Sequence, residues 1–487
     1  MNRLAAALLP FFALTAGVAR ADNLLDVFND ALINDPQIRE ANATRLASRE
    51  ARPQAIASLL PQADALGTLE RDKINGLVEQ PQQIGNDIVL FRSDGGVRPD
   101  TTSWTVSLRE SVFSWANWVA LKRANHTIAQ AEADYQAAQQ DLISRTAQRY
   151  FAVLQARNTV EADLAAQEAF GRAFDQASKR YEAGLIAITD MQEAKAARDS
   201  AAADVIQAKR SLATAEESLR EITDKQYGTL ARPGEDMPLA TPAPADAEQW
   251  VNQSMEQNLS LISSRLAADI ARDDVHSAFS GHLPTLDFLA SKSHSDQNST
   301  QSFEPNPPGR PTTVVVPYTN ITNEETYRLQ LTIPIFSGGA TQSRVRQTQY
   351  QWIAARERVT RVSRETERLA RDSYLGVISG IARVQALRQA LASSQTALEA
   401  TQAGYDVGTR TQVEVLDSRR ALVQAQTNYA SSRFDYINSI VQLKLAAGTL
   451  DRQTLVEING WLNSKEPAAP KPPSSGAPER PPNSQPN

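Results

Sequence analysis

The side chains able to do chemistry are few in this chain, and their spacing does not suit catalysis. There is no cysteine, hence no disulfide, no thiol nucleophile and no residue for the N-terminal lipid attachment of exported bacterial proteins. His126, His276, His282 and His294 form neither a His-Glu-x-x-His pair nor any tight metal-ligand spacing, and no glycine-rich phosphate loop is present. What remains is acidic. Glu414 and Asp417 lie three residues apart just after a glycine turn, on one side of the helix that begins there. Carboxylates held together raise each other's cost of ionisation and can bind a cation. That is electrostatic chemistry; no enzyme activity and no cofactor or metal is expected.

The turn carrying those acids occurs twice. Gly404-Tyr405-Asp406-Val407-Gly408-Thr409-Arg410 leads to Glu414 and Asp417, and an earlier copy runs from Tyr181 through Gly184 to Asp190 and Glu193. Tyr181 and Tyr405, Gly184 and Gly408, Asp190 and Glu414, and Glu193 and Asp417 are all 224 positions apart. Around them Phe113 pairs with Phe336, Trp104 with Tyr327, Leu108 with Leu331 and Leu60-Pro61 with Leu283-Pro284, each 223 apart. A period this long is not a solenoid unit. It reads as two copies of one structural half, 22–227 and 247–450, joined by a proline-bearing linker at 228–246.

Each half must position its turn at the end of very long helices. Leu121, Ala124, Ile128, Ala131, Tyr135, Ala138 and Leu142 keep 3,4 spacing, a supercoiling seam. The helix from near Phe113 to 182 is roughly 100 Å long at 1.5 Å per residue, and its equivalent in the second half ends near 403. A shorter helix returns from each turn. Before each long helix the apolar period changes to two. The expected β-hairpins span 62–113, with Ala63, Ala65, Gly67 and Leu69 and then Trp104, Val106 and Leu108 on one face, and 284–336, with Leu286, Phe288 and Ala290 and then Tyr327, Leu329 and Leu331. Their polar interiors, 71–99 and 292–320, are expected to be loops. Strands of 9–11 residues fit a tilted crossing of a bilayer, and Trp104, Phe113, Trp115, Trp118, Tyr327 and Phe336 suit its aromatic girdles. Four strands cannot close a barrel, so copies of the chain must complete the sheet; eight strands from two chains and twelve from three are both open.

At the ends, Arg3, the apolar run Leu4–Val18 and Ala19-Arg20-Ala21 read as an export signal over 1–21. The segment 451–487 ends in a proline-rich tail expected to be disordered, and nothing beyond about Gly460 is expected to matter for assembly. A net charge of -6 argues against a nucleic-acid partner.

The stretches Tyr181-Glu-Ala-Gly-Leu-Ile-Ala-Ile-Thr-Asp190, Gly404-Tyr-Asp-Val-Gly-Thr-Arg-Thr-Gln-Val-Glu-Val-Leu-Asp417, Ile335-Phe-Ser-Gly-Gly339 and Ala447-Gly-Thr-Leu450 resemble the TolC family of outer-membrane channels. The resemblance covers Asp22 to Leu450. It implies an α/β membrane protein: a homotrimer whose twelve-stranded outer-membrane barrel, four strands per chain, is continuous with a periplasmic α-helical barrel. It implies the outer membrane of a Gram-negative bacterium, with outer-membrane lipid, a periplasmic adaptor (membrane fusion) protein and an inner-membrane ABC or RND pump as partners. The function implied is the exit duct of type I protein secretion, multidrug efflux or both. By the same resemblance Asp190, Tyr405, Arg410 and Asp417 hold the periplasmic mouth closed, Glu414 and Asp417 ring the aperture, and Gly184 and Gly408 form the tip turns. Glu414 departs from the family's usual aspartate. The rival expectation is an exported periplasmic coiled-coil scaffold without transport activity.

Overall fold

The computed structural model describes residues 21–234, 237–303 and 314–463; all but Ala21 of the expected export signal over 1–21, and the chain beyond Asn463, lie outside the described residues. In chain order the elements are α1 (Leu24–Asn34), α2 (Pro36–Arg49), α3 (Ala51–Ala57), β1 (Gln62–Arg71), β2 (Ile74–Ile84), β3 (Asp87–Phe113), α4 (Trp115–Glu182), α5 (Ile188–Thr223), β4 (Arg232–Pro233), α6 (Ala247–Gln257), α7 (Leu259–Phe279), β5 (Thr285–Phe303), β6 (Val314–Thr332), α8 (Ala340–Asp406), α9 (Gln412–Ala446), α10 (Arg452–Gly460) and β7 (Leu462–Asn463). They cluster into two compact units. One holds Asn42–Asp134 and Ile262–Val362; the other holds the rest. No helix among the described residues is long and apolar enough to cross a membrane.

In the first unit the four long strands form one antiparallel sheet in the order β1-β3-β5-β6, and β2 continues the line of β1 along β3. The register puts Ala63 opposite Leu108, Ala65 opposite Val106 and Gly67 opposite Trp104. It also sets Leu108 beside Ala290, and Ala290 beside Tyr327, Phe288 beside Leu329 and Leu286 beside Leu331. Since side chains alternate along strands, all four apolar sets share one face. The other face carries Asp64, whose carboxylate accepts from Ser107 Oγ at 2.8 Å, with Arg109, Arg328 and Gln330. The outer limit of the apolar face shifts by about two residues per strand, from Tyr327 on β6 to Trp104 on β3 and Leu69 on β1. A level band crossing strands tilted by about 45° has that slope.

The polar interiors expected as loops are strands. Residues 74–84 pair with 87–97, and 292–303 pair with 314–325. A strand that has left the apolar band needs only its backbone partner, so Ser, Thr and Asn on both faces are compatible with pairing while erasing the period-two signal. Side-chain bridges reinforce it: Lys292 Nζ lies 2.7 Å from Glu325 and Arg71 Nε 2.6 Å from Asp100.

In the second unit, α4, α9 and α1 enclose the largest buried side chains, Tyr150, Phe151, Leu154, Tyr436 and Ile437. The Tyr150 hydroxyl donates to the Ala231 carbonyl at 2.7 Å, and burial pushes its pKa far up. Ordered structure also continues past Gly460. α10 buries Leu455 and Ile458 completely and is tied to α9 by Lys444 and Glu457 at 3.0 Å. After it β7 pairs with β4. The segment 451–487 therefore contributes core as far as Leu462, two residues past the limit expected for assembly, and its helix does so because Leu455 and Ile458 sit three apart on one helical face.

Leu455→Ala is expected to destabilise this unit by about 2–5 kcal/mol through the cavity it leaves, read as a lowered thermal midpoint. Truncation after Asn463 is expected to leave that midpoint unchanged.

Candidate functional site

Both acid-bearing turns are built alike. At the end of α4 the Gly184 amide donates to Tyr181 O at 2.8 Å and the Leu185 amide to Arg180 O at 2.9 Å. At the end of α8 the Gly408 amide donates to Tyr405 O at 3.0 Å and the Thr409 amide to Gly404 O at 2.8 Å. These are paired helix-ending bonds that need a left-handed residue, and Gly184 and Gly408 supply it at φ +70° and +80°. The backbone reason for glycine is thus the same in both halves.

The side chains around the turns differ. α9 opens with a capping box: the Glu414 amide donates to Thr411 Oγ1 at 3.3 Å, and Glu414 Oε2 accepts the Thr411 amide at 2.7 Å. Its Oε1 accepts from Arg410 Nη1 at 2.6 Å. The Thr411 amide, the Arg410 guanidinium and the Thr411 hydroxyl together hold the Glu414 carboxyl down at about 2. In the first half Ala187 stands where Thr411 does, and α5 starts with no side-chain cap. A glutamate is long enough to reach back to its cap and across to Arg410, which gives Glu414 a local reason to differ from aspartate. Arg410 in turn lies across Gly404; a Cβ there would stand 2.6 Å from Arg410 Cγ.

The two tips of one chain meet through Tyr405. Its hydroxyl accepts a hydrogen bond from Arg180 Nη1, and the guanidinium carbon lies 5.3 Å from the ring centroid. Arg180 was missed by sequence reasoning. The repeat sets it against Gly404, so the duplication hides it, and only folding brings α4 beside α8. Phe170, Ala177, Ala194, Ala197 and Leu416 bury themselves behind the tips.

The remaining candidates are placed as follows. Asp417 is exposed and accepts from Arg420 Nη1 at 2.8 Å, so both acids of the second turn are paired locally, Asp417 within α9 and Glu414 with the turn that precedes it. Asp190 is half-buried in the first turn of α5. Trp104, Phe113, Trp115, Trp118, Tyr327 and Phe336 are all exposed; Trp104 stacks on His294 with centroids 6.1 Å apart. Among the described residues no group of three or more His, Asp or Glu could hold a metal.

The outer membrane efflux protein family matches residues 27–224 and 250–449, the same two halves. The chain is similar to the outer membrane protein TolC of Vibrio cholerae, 33% identical over 461 residues, covering 93% of this chain and 98% of that one. It is also similar to the alkaline protease secretion protein AprF of Pseudomonas aeruginosa, 27% identical, covering 91% and 88%. The crystal structure of the CmeC outer membrane channel of Campylobacter jejuni shares the fold, with a TM-score of 0.68 at 18% identity, covering 91% of this chain and 89% of that one.

The depressed Glu414 pKa fixes the sign of a pH dependence. Its contribution to the tip is complete above the ordinary glutamate range near 4.5 and is lost as pH falls towards about 2. Amide exchange at the start of α9 should therefore hold steady from neutral pH to about 5, after correction for intrinsic rates, and rise in acid. Glu414→Ala should raise it at all pH values without changing exchange deeper in α9.

Proposed function

The chain belongs to the outer membrane efflux protein family, and on that premise we propose that its two helix tips form the closable mouth of the duct. The protein is an outer-membrane channel for efflux and type I secretion. It belongs to a family of trimeric channels, not of enzymes, that work with adaptor proteins and inner-membrane pumps. We further assign the pump to the ABC or RND classes, with a periplasmic adaptor between pump and tip. The observation that carries the channel reading is the sheet register. One face is apolar from β1 to β6, the other is polar, and among the described residues each edge strand, β1 and β6, is unpaired on its outer side. Three chains close twelve strands, with the polar face inward and the apolar face to lipid. A coiled-coil scaffold has no use for such a sheet.

Transport through such a duct is passive and needs no reacting group. The gate needs only contacts weak enough to yield. Within one chain the closing contact is the Arg180–Tyr405 bridge. A hydrogen bond to a charged group contributes about 1.5–3 kcal/mol, nearer the lower figure for a half-exposed pair. Arg410 is held by Glu414 and is presented, already oriented, at the tip. Asp190 is the candidate acceptor for it from a neighbouring copy, and Glu414 and Asp417 supply the acidic ring. Their partners Arg410 and Arg420 temper its charge.

Tyr405→Phe combined with Arg410→Ser should raise single-channel conductance in planar bilayers severalfold with the trimer intact, and Arg180→Ser should raise it alone. Wild-type conductance in both variants would remove the latch. Glu414→Ala with Asp417→Ala should lower cation selectivity measured as reversal potential in a salt gradient.

A further inference from the structure

The segments that lead into and out of the four strands, residues 51–63, 111–131, 275–286 and 333–356, contain Arg52, Lys122, Arg123, Arg344, Arg346 and Arg356 and no aspartate or glutamate at all. Three of these cations are satisfied inside the chain. Lys122 and Arg123 reach Asp273 and Asp274 of α7 at 3.1 and 2.7 Å, and Arg356 lies 5.4 Å over the Trp352 ring. The other three meet no carboxylate. Arg344 donates only to Gln347 at 3.1 Å, while Arg52 and Arg346 have no hydrogen bond or ion pair among the described residues. All three are exposed. The opposite ends of the strands differ, since there Arg71 and Lys292 are matched to Asp100 and Glu325.

The sheet topology says where the three unmatched cations go. The unpaired edges are β1 and β6, so closing the trimer sets β1 of one copy against β6 of the next. Arg52 stands ten residues before the first residue of β1, and Arg344 and Arg346 stand twelve and fourteen after the last of β6. Each of the three seams therefore brings Arg52 of one copy towards the first turns of α8 in its neighbour, on the helix side of the membrane, where Arg344 and Arg346 are exposed on either flank of buried Val345. Along the helices these residues lie within about 6–9 Å of the ends nearest the strands, and an arginine stem can carry its head further towards the interface. Ile335 and Phe336, 93% and 87% exposed, mark the apolar boundary beside them.

We propose that each seam binds the headgroup of an anionic phospholipid from the periplasmic leaflet. Arg52 and the α8 arginine on its side of the seam repel each other when no carboxylate stands between them. A phosphodiester matches their forked donors, and basic residues beside a membrane draw anionic lipid. The acyl chains of that lipid then lie along the apolar face of the β1–β6 junction, sealing the place where the barrel is joined between copies. The inference rests on closure of the sheet by three chains. Its one competitor inside the protein is Glu50, just outside the acid-free stretch, which could reach the neighbour's Arg346.

The test is native mass spectrometry of the intact trimer in neutral detergent, titrated with phosphatidylglycerol or phosphatidylcholine. At about fivefold per guanidinium, with Arg52 and one α8 arginine on each headgroup, the wild type should prefer phosphatidylglycerol by about twenty-five-fold at low ionic strength. It should bind up to three tight copies and lose the preference near 1 M salt, where screening acts within about 3 Å. The Arg52→Gln, Arg344→Gln, Arg346→Gln variant should lose the preference while remaining trimeric. A wild type without preference, as neutralisation by Glu50 would produce, overturns the proposal. So does a triple variant that keeps it, or displacement of the lipid by an equal concentration of inorganic phosphate. Should the triple variant fail to assemble, the wild-type lipid comparison and its salt dependence decide alone.

Discussion

The constraint on which the rest depends is that a sheet cannot keep open edges in hydrocarbon. Each unpaired backbone amide or carbonyl there costs several kcal/mol, and this chain presents a full edge at β1 and another at β6. Joining the two through neighbouring copies removes both costs together. The single apolar face, the polar opposite face and closure by copies of the chain all follow from that requirement, while the number three is that of the family. So does the location of the seam, which makes the chain segments next to β1 and β6 the ones where copies must accommodate each other's charges.

The tips answer a different requirement. There the chain has to turn sharply at the end of helices that are 68 and 67 residues long, and must do so without a large core behind it. Glycine at a left-handed position makes the turn, and small side chains such as Ala194 and Ala197 let the helices approach closely. The contacts across the tips are few and half-exposed, in contrast to the continuous backbone ladder of the sheet.

The duplication explains the backbone of the tips but not their chemistry. Gly184 and Gly408 do the same work, whereas Arg180 stands opposite Gly404 in the repeat and Arg410 opposite Ile186. The first turn has its cations, Lys179 and Arg180, before the glycine, and the second has Arg410 after it, so the halves can interact as unlike partners.

Much of this was legible before folding. The two halves, the four apolar strand faces, the long seams and both tip turns follow from periodicity and from a glycine requirement, which are properties of residues near each other in sequence. The resemblance of the tip motifs to a known channel family supplied the trimer and the candidates for the gate. What the sequence did not reveal depends on distance through space. The strands continue through 74–97 and 292–325 because backbone pairing outlasts any apolar pattern. α10 belongs to the core because Leu455 and Ile458 find α9 and α1, not because of their own short segment. Arg180 meets Tyr405 across 225 positions, and the Glu414 carboxylate folds back on Thr411 and Arg410. Sequence by itself determined which elements form and which faces they must bury, because those depend on local pattern. Only the tertiary structure decided which charges are spent on one another, because an ion pair depends on where two side chains end up and not on how they are spaced along the chain.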